Sequence, residues 1–279
     1  MDLPSLPDRW SISDPILVAE TFSSRIWKVR RQDGSLAVIK ALKPFDDVAD
    51  ELRGAHYLSW RDGVGAVRLI GFEGPNMLIE YAGDRLLADE LKENGDRHAT
   101  EIAAEVMATL LSPSDVPPPA DLQPLRERFA SLFKKAWGDR DAGRESPYGE
   151  AAEIAERLLS NPIELRVLHG DLHHDNILYG KRGWLAIDPK GIFGDPGFDA
   201  ANFLFNPLDS HDLTRNPERI AHMAETFAKV LGQSPDAVLD HAIAWGCLSA
   251  SWHAEDRNEV EETSELAVVA AVRMVRAGF

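Results

Sequence analysis

Cysteine is nearly absent. Cys247 stands alone in 279 residues, which rules out an internal disulfide and any cysteine-rich metal site. Its surroundings, "IAWGCLSASW", read as a buried helix face in which the thiol is a small apolar filler. Long apolar runs are missing as well: none approaches the ~18 residues that a bilayer span needs. The opening "MDLPSLPDRW" has an acid where a leader carries basic and then apolar residues, so no secretory signal is expected and the cytoplasm is the expected location. Basic residues are few beside acids, 30 Lys plus Arg against 46 Asp plus Glu, a net charge of −16. That balance disfavours nucleic acid, whose binding runs on basic patches. It suits a cationic ligand, and equally a chain kept soluble by its charge.

What remains is ordinary for a globular protein: 44% hydrophobic and 27% charged residues, enough chain for one large or two modest domains. The first 80 or so residues read as strands. "PILVAETF" and "RIWKVRR" flank a Ser-Ser pair, and "RRQDGSLAVIKAL" is a strand, an Asp-Gly turn and a strand. Asp46 and Asp47 open a helix running through Trp60, with Ala49, Leu52 and His56 at helical spacing. "AVRLIGFEGPNMLIEYA" adds two strands around a Gly-Pro-Asn turn. Beyond "EYAGDR" the pattern turns helical: "ATEIAAEVMATLL", a proline-rich connector "SPSDVPPPAD", then "LQPLRERFASLFKKAW" and "GEAAEIAERLLS". Short strands follow at Arg166–Leu168, Ile177–Tyr179 and Trp184–Ile187, and the chain is helical again after Pro196. The expected division is a small strand-rich unit over 1–82 and a larger helical one over 83–279.

The short strands carry the chemistry. Asp171, Asp175, Asn176 and Asp188 sit at their ends, where a buried carboxylate is costly unless paired or metal-bound. Phosphoryl transfer needs an aligned acceptor hydroxyl, a magnesium ion held against the phosphates and a clamp on the triphosphate. Magnesium prefers a few hard oxygen ligands. An acid on a loop, an amide five residues on and a second acid after the next hairpin supply such a set, and Asp171, Asn176 and Asp188 have that arrangement.

Here "HGDLHHDN" resembles the catalytic loop of the aminoglycoside phosphotransferase and choline kinase superfamily, and "AIDPKG" its metal-binding segment. "AVIK", ending in Lys40, looks like the phosphate-clamping lysine, with Glu51 on the next helix as its partner, and "MLIEYAG" like the hinge strand. The "IDPKGIFGDPGFDAANFLFNP" and "SASWHAED" stretches are most similar in style to streptomycin 6-phosphotransferases and hydroxyurea kinases. The resemblance implies an α+β, bilobal protein-kinase-like fold: a five-stranded antiparallel N-terminal lobe with one helix, and a mainly helical C-terminal lobe. It implies ATP and Mg²⁺, and a small hydroxylated, cationic acceptor. Asp171 would take or orient the hydroxyl proton, and Asn176 and Asp188 would hold the metal. Lys40, held by Glu51, would bind phosphates, and the backbone of Glu80 and Ala82 would bind adenine. His169 and Asp199 would support the loop. Other small-molecule acceptors (choline, homoserine, a sugar, hydroxyurea) and a non-catalytic nucleotide binder stay open. A protein kinase is disfavoured, because "GDPGFDAANF" follows Asp188 with no room for an activation segment.

Read singly, these residues are weak: Lys40 could be a surface lysine and Glu51 a solvated glutamate. Their joint order carries the reading. One departure stands out, since "TFSSRIW" has no glycine where kinases cover the phosphates. Ser23 and Ser24 are the expected donors there, with Arg25 either a further cation or an ordinary surface ion pair. His173 and His174 are adjacent on an extended loop, so their side chains diverge and make a poor metal site. Asp195 reads either as a helix cap or as acceptor-lining. Trp252, Glu255 and Asp256 share a helix face suited to a guanidinium or ammonium acceptor, or belong to a solvated acidic surface.

Overall fold

Alternation builds the N-terminal sheet. In the computed structural model, which describes residues 4–44, 48–208 and 210–279, strands β1 (Ile12–Glu20), β2 (Ser24–Arg31), β3 (Leu36–Leu42), β4 (Leu69–Glu73) and β5 (Asn76–Glu80) pair antiparallel in the order β1-β2-β3-β5-β4. The expected sheet is therefore present. Gly34, with φ +81°, closes the β2–β3 turn, a conformation that glycine adopts without a Cβ clash. Because side chains alternate, Ala37, Ile39 and Ala41 point to one face and pack with Trp10, Trp27, Val29 and Leu78. Val38 and Lys40 consequently point to the other.

Helix α1 (Val48–Arg61) lies across that second face, joined to it through Leu42, Ala55 and Met77. Its expected opening at Asp46 and Asp47 falls outside the described residues. Two glycines bring α1 unusually close to the segment after Asp188. A Cβ on Gly54 would overlap the carbonyl oxygen of Pro189, and one on Gly191 would come within 2.9 Å of the Arg53 carbonyl oxygen.

Past the sheet, β6 (Arg85–Leu86) turns away from it and pairs with β9 (Ile177–Gly180), which forms a hairpin with β10 (Gly183–Ala186). A second small sheet joins β7 (Gln123–Pro124), β8 (Arg166–Leu168) and β11 (Ile192–Gly194). Around these strands lie α2 (Leu87–Asn94), α3 (Asp96–Leu110), α4 (Leu125–Arg128), α5 (Ala130–Asp141), α6 (Pro147–Ser160), α7 (Gly197–Leu204), α8 (His211–Thr214), α9 (Pro217–Leu231), α10 (Pro235–Glu255) and α11 (Glu259–Arg276). The single helix read over "LQPLRERFASLFKKAW" is split at Phe129 into α4 and α5.

Helix α10 is the centre of the C-terminal part, packed against α5, α6, α7, α9 and α11. It is buried from Val238 to Ser251 at all but one position, as an all-round apolar helix must be. Cys247 lies in it, inaccessible, and burial pushes its thiol up to about 12. Among the described residues no helix is long and apolar enough to cross a membrane.

Candidate active site

A cavity of about 720 Å³ opens between the α1 face of the sheet and the β9–β10 hairpin. Ile26, Val38 and Ile79 wall it from above, Leu178 and Ile187 from below, and Lys40 and Asp188 stand at its inner end. Ser23 and Ser24 line it at the β1–β2 turn, where Thr21 Oγ1 accepts from the Ser24 backbone N–H at 3.1 Å. A hydroxyl thus does locally what glycine does in other loops: it holds the turn. Arg25 instead pairs with Glu20 at 3.1 Å.

The segment expected to act as a hinge is pinned from below. Gly83 has φ +113°, and a Cβ there would collide with the Tyr179 carbonyl oxygen of β9. The Glu80 side chain is engaged elsewhere. Its carboxylate accepts from Arg182 Nε at 2.8 Å and the Arg68 backbone N–H at 3.0 Å. Burial opposes its charge, but those donors hold its pKa below the usual range. The Glu80 backbone N–H is committed as well, donating to the Arg68 carbonyl oxygen at 2.9 Å.

At the inner end four charged side chains form a closed ring. Lys40 Nζ bridges Glu51 Oε2 and Asp188 Oδ1. Lys190 Nζ bridges the other two oxygens, Glu51 Oε1 at 3.0 Å and Asp188 Oδ2 at 3.2 Å. Burial alone would raise the pKa of Asp188; the two ammonium groups more than reverse this and hold its carboxyl well below the ordinary range. Asp188 sits at φ +60°, a costly conformation for a residue with a Cβ and one that tends to mark functional sites. Lys190 was missed by the sequence reading. Its signal was position alone, two residues beyond Asp188.

The loop from His169 to Asn176 is braced from beneath. His169 is inaccessible: its Nε2 meets the Ile187 carbonyl oxygen at 2.8 Å, and its Nδ1 accepts from the Asp171 backbone N–H at 3.2 Å. Burial lowers its pKa to about 4, so it holds shape as a neutral ring. Asp199, also buried, accepts the backbone N–H groups of His169 at 2.9 Å and Gly170 at 2.7 Å. His174 turns inward onto Phe203, their ring centres 4.1 Å apart, while His173 turns outward to meet Asn176. The two adjacent rings diverge as expected.

Asp171 receives two amides. Asn176 Nδ2 and Asn202 Nδ2 each lie 3.2 Å from one of its carboxylate oxygens. Asn176 Nδ2 also donates to the Asp171 carbonyl oxygen at 2.8 Å, which leaves the amide oxygen of Asn176 as its outward group. The Asn176 carbonyl oxygen accepts from the Ile187 N–H at 2.9 Å, so Asn176, just before β9, and Asp188, two residues after β10, are held beside one another at the open end of that hairpin. Asn202, on α7, is the second candidate site residue that the sequence reading missed.

The residues expected at an acceptor site separate. Asp195 is not turned to the cleft. It accepts from Gly197 N at 2.9 Å, Gln233 Nε2 at 2.8 Å and Ile163 N at 3.0 Å, with His241 at 3.3 Å. The alternative of a helix-start brace is the one its surroundings match. Trp252 and Glu255 line a separate cavity of about 600 Å³ with Asp50, Gln123, Glu127 and Arg128. Arg128 stacks on Trp252 at 4.9 Å and pairs with Asp50 at 2.6 Å, and Glu255 pairs with Lys134 at 2.8 Å. Asp256, at the end of α10, is exposed and does not line it. The Gln123 backbone N–H donates to the Gly191 carbonyl oxygen at 3.0 Å, so this cavity adjoins the segment that carries Asp188.

The geometry agrees with the comparisons. The streptomycin 3''-kinase of Klebsiella pneumoniae is 37% identical over 255 residues, covering 89% of this chain and 91% of that one. The hydroxyurea phosphotransferase of Kitasatospora aureofaciens is 31% identical, covering 97% and 77%, and the streptomycin 6-kinase of Streptomyces glaucescens is 30% identical, covering 96% and 87%. Among solved structures, an ethanolamine kinase of Plasmodium vivax superposes with a TM-score of 0.65 at 11% identity, covering 94% of this chain and 82% of that one. An amicoumacin kinase in complex with AMP-PNP, Ca²⁺ and Ami gives 0.61 at 12% identity, covering 92% and 88%. These two likenesses establish the kinase-like fold. Residues 9–257 match the aminoglycoside/hydroxyurea antibiotic resistance kinase family, and the chain belongs to that family of small-molecule phosphotransferases.

Proposed function

We propose that this enzyme transfers the γ-phosphoryl group of ATP to a hydroxyl of a cationic, aminoglycoside-like acceptor, with streptomycin the first to try. The observation that carries the reading is the Lys40–Glu51–Asp188 ion pairs at the inner end of one cavity, with the Asp171–Asn176 loop tied beside them by the hydrogen bond from the Ile187 N–H to the Asn176 carbonyl oxygen. Adenine lies between the apolar walls and hydrogen-bonds the backbone of Glu80 and Ala82. Ser23, Ser24 and Lys40 meet the phosphates. Asp171 orients the acceptor hydroxyl and takes its proton, and Asn202 and Asn176 fix the direction in which the carboxylate faces. In a transfer with a loose transition state, such alignment and charge neutralisation supply most of the catalysis.

Asn176 and Asp188 suit magnesium. One offers an amide oxygen whose nitrogen is tied down, the other a carboxylate kept ionised. Among the described residues no three His, Cys, Asp or Glu side chains converge, in keeping with a metal that takes one or two protein groups and completes its shell with phosphate and water. Bound there, the ion would neutralise charge on the phosphate oxygens.

The cavity beside Trp252 is the proposed acceptor pocket. Its carboxylates Asp50, Glu127 and Glu255 outnumber the two cations that also line it, Arg128 and Lys134, and favour guanidinium and ammonium groups. The acidic balance of the chain supports such an acceptor over nucleic acid. The two working units are 1–82 and 83–279, since β6 leaves the sheet and pairs with β9. As a consumer of ATP the enzyme is placed in the cytoplasm. A second acceptor, hydroxyurea, is favoured by the 31% identity to a hydroxyurea phosphotransferase. The test is ADP release with streptomycin, hydroxyurea, choline and homoserine, followed by assignment of the phosphorylated oxygen. Release with streptomycin supports the reading. Release only with an uncharged acceptor refutes the cationic pocket.

A further inference from the structure

One lysine is enough to satisfy Glu51, yet the structure buries two. Lys40 and Lys190 have side-chain exposures of 8% and 13%, and each takes one oxygen from Glu51 and one from Asp188. Burying an additional charge is seldom a route to stability, because its desolvation offsets the attraction it gains. The second ammonium therefore calls for a role that charge alone can fill.

Its setting identifies one. The Lys190 backbone is fixed, its N–H donating to the His169 carbonyl oxygen at 2.7 Å. Its stem runs beside the catalytic loop, 3.3 Å from where a Cβ on Gly170 would stand. Its tip lines the large cavity. Between Asp171 and Asn176 the loop itself reads Leu-His-His-Asp, with no lysine or arginine. Transfer needs a cation at the phosphoryl group that moves, since charge spreads over its oxygens in the transition state. Lys190 is the member of the ring that lies beside the loop, on a flexible stem with three donors.

Resting on the kinase reading above, we propose that Lys190 is a second phosphate-binding lysine, dedicated to the γ-phosphoryl group, and that Glu51 is the shared carboxylate that presents it beside Lys40. In the step it serves, the acceptor oxygen forms a bond to Pγ and the bond from Pγ to the bridging oxygen breaks. That electron pair leaves with ADP, and the hydroxyl proton passes to Asp171. Lys190 neither gives nor takes a proton; its ammonium hydrogen-bonds the equatorial oxygens.

The test is the ratio of ATP to ADP affinity, measured by calorimetry on the full-length enzyme without acceptor, so that an error in the proposed acceptor leaves it intact. Lys190→Met is expected to weaken ATP about tenfold or more while ADP stays within about threefold, and to lower turnover by ~10²-fold, the scale of losing one preorganised donor. Lys190→Arg, which keeps the cation, is expected to restore most of the ratio. Lys40→Met is expected to weaken both nucleotides alike. Equal loss of ATP and ADP in Lys190→Met would make the residue a support for Glu51 and overturn the proposal, as would an unchanged ratio. If Lys190→Met does not fold, Lys190→Gln takes its place, and failure of that variant to fold also overturns it.

Discussion

Asn202 Nδ2 donates to Asp171 Oδ1 across 3.2 Å, and Asn202 is itself held by Asn206, whose Nδ2 meets the Asn202 side-chain oxygen at 3.1 Å. The relay fixes the direction in which the Asp171 carboxylate points, from the same helix whose Asp199 braces the loop beneath. Asn202→Ala is expected to lower kcat about tenfold with the KM for ATP unchanged. It should also cost about 1 kcal/mol, because Asn206 loses one buried hydrogen bond while keeping the one to the Asn202 backbone carbonyl oxygen at 3.0 Å. Steady-state kinetics and thermal unfolding check both.

Asp171→Ala removes the proposed proton acceptor itself. Positioned acid–base groups contribute ~10²–10⁴-fold, and turnover should fall by that factor. Asp171 has no hydrogen bond or ion pair to any of the four ring side chains and acts on Lys190 only through its charge, so ATP affinity should stay close to that of the unsubstituted protein. Turnover within threefold of normal would remove Asp171 from the proton's path.

Much of this site was legible in the sequence, for a physical reason. Lys40, Asp171, Asn176 and Asp188 lie on strands or at their ends, where a period of two and a short turn fix direction within a few residues. Lys190 and Asn202 were not legible in the same way. Whether Lys190 faces Glu51 depends on how closely α1 approaches Pro189, a tertiary contact that leaves no local trace. Asn202 did leave one: two asparagines four apart in the apolar run "AANFLFNP" must find partners, although which ones only the packing decides. Asp195 illustrates the converse. A short acid before a helix reads equally as cap or ligand, and its three hydrogen-bond donors, Ile163 N, Gly197 N and Gln233 Nε2, come from three parts of the chain.

Stability should decline on the alkaline side of neutrality. Burial raises Glu265 to about 8 and Asp199 to about 7. A carboxyl raised in the folded state holds a proton there that the unfolded chain has lost, so its stabilisation fades as pH rises through the folded pKa. His169, lowered to about 4, acts oppositely: stability grows between about 4 and its unfolded value near 6.5. Above that value His169 is silent and the two carboxyls alone act. Melting temperature should therefore fall between pH 6.5 and 8.5, and Glu265→Gln should flatten the fall. A rise over that range would contradict the burial of Glu265.

The proposed acceptor pocket makes a separable prediction. Glu255 pairs with Lys134 at 2.8 Å, and Glu255 and Lys134 have side-chain exposures of 43% and 78%. Such an exposed pair is worth at most about 1 kcal/mol, so a guanidinium acceptor can displace the lysine at little cost. Glu255→Gln should raise the KM for streptomycin roughly tenfold, the scale of a hydrogen bond to a charged group, while the KM for ATP and the melting temperature hold. An unchanged streptomycin KM would return Glu255 to the solvated surface.

Gly54→Ala sets two effects of opposite sign against each other. Within helix α1, alanine in place of glycine is favourable by about 1 kcal/mol. The added methyl, however, would overlap the Pro189 carbonyl oxygen, which is backbone and cannot swing aside. Relief requires α1 and the Asp188–Gly191 segment to part, and forcing atoms into a packed interior costs about 1–3 kcal/mol. The steric term should win, giving a net loss of stability. Glu51 rides on the preceding turn of the same helix and is the shared partner of Lys40 and Lys190. Its displacement should weaken ATP binding more than the small loss in melting temperature would imply. A variant that melts higher and binds ATP normally would show that the close approach of α1 to Pro189 does not set the geometry of the charged ring.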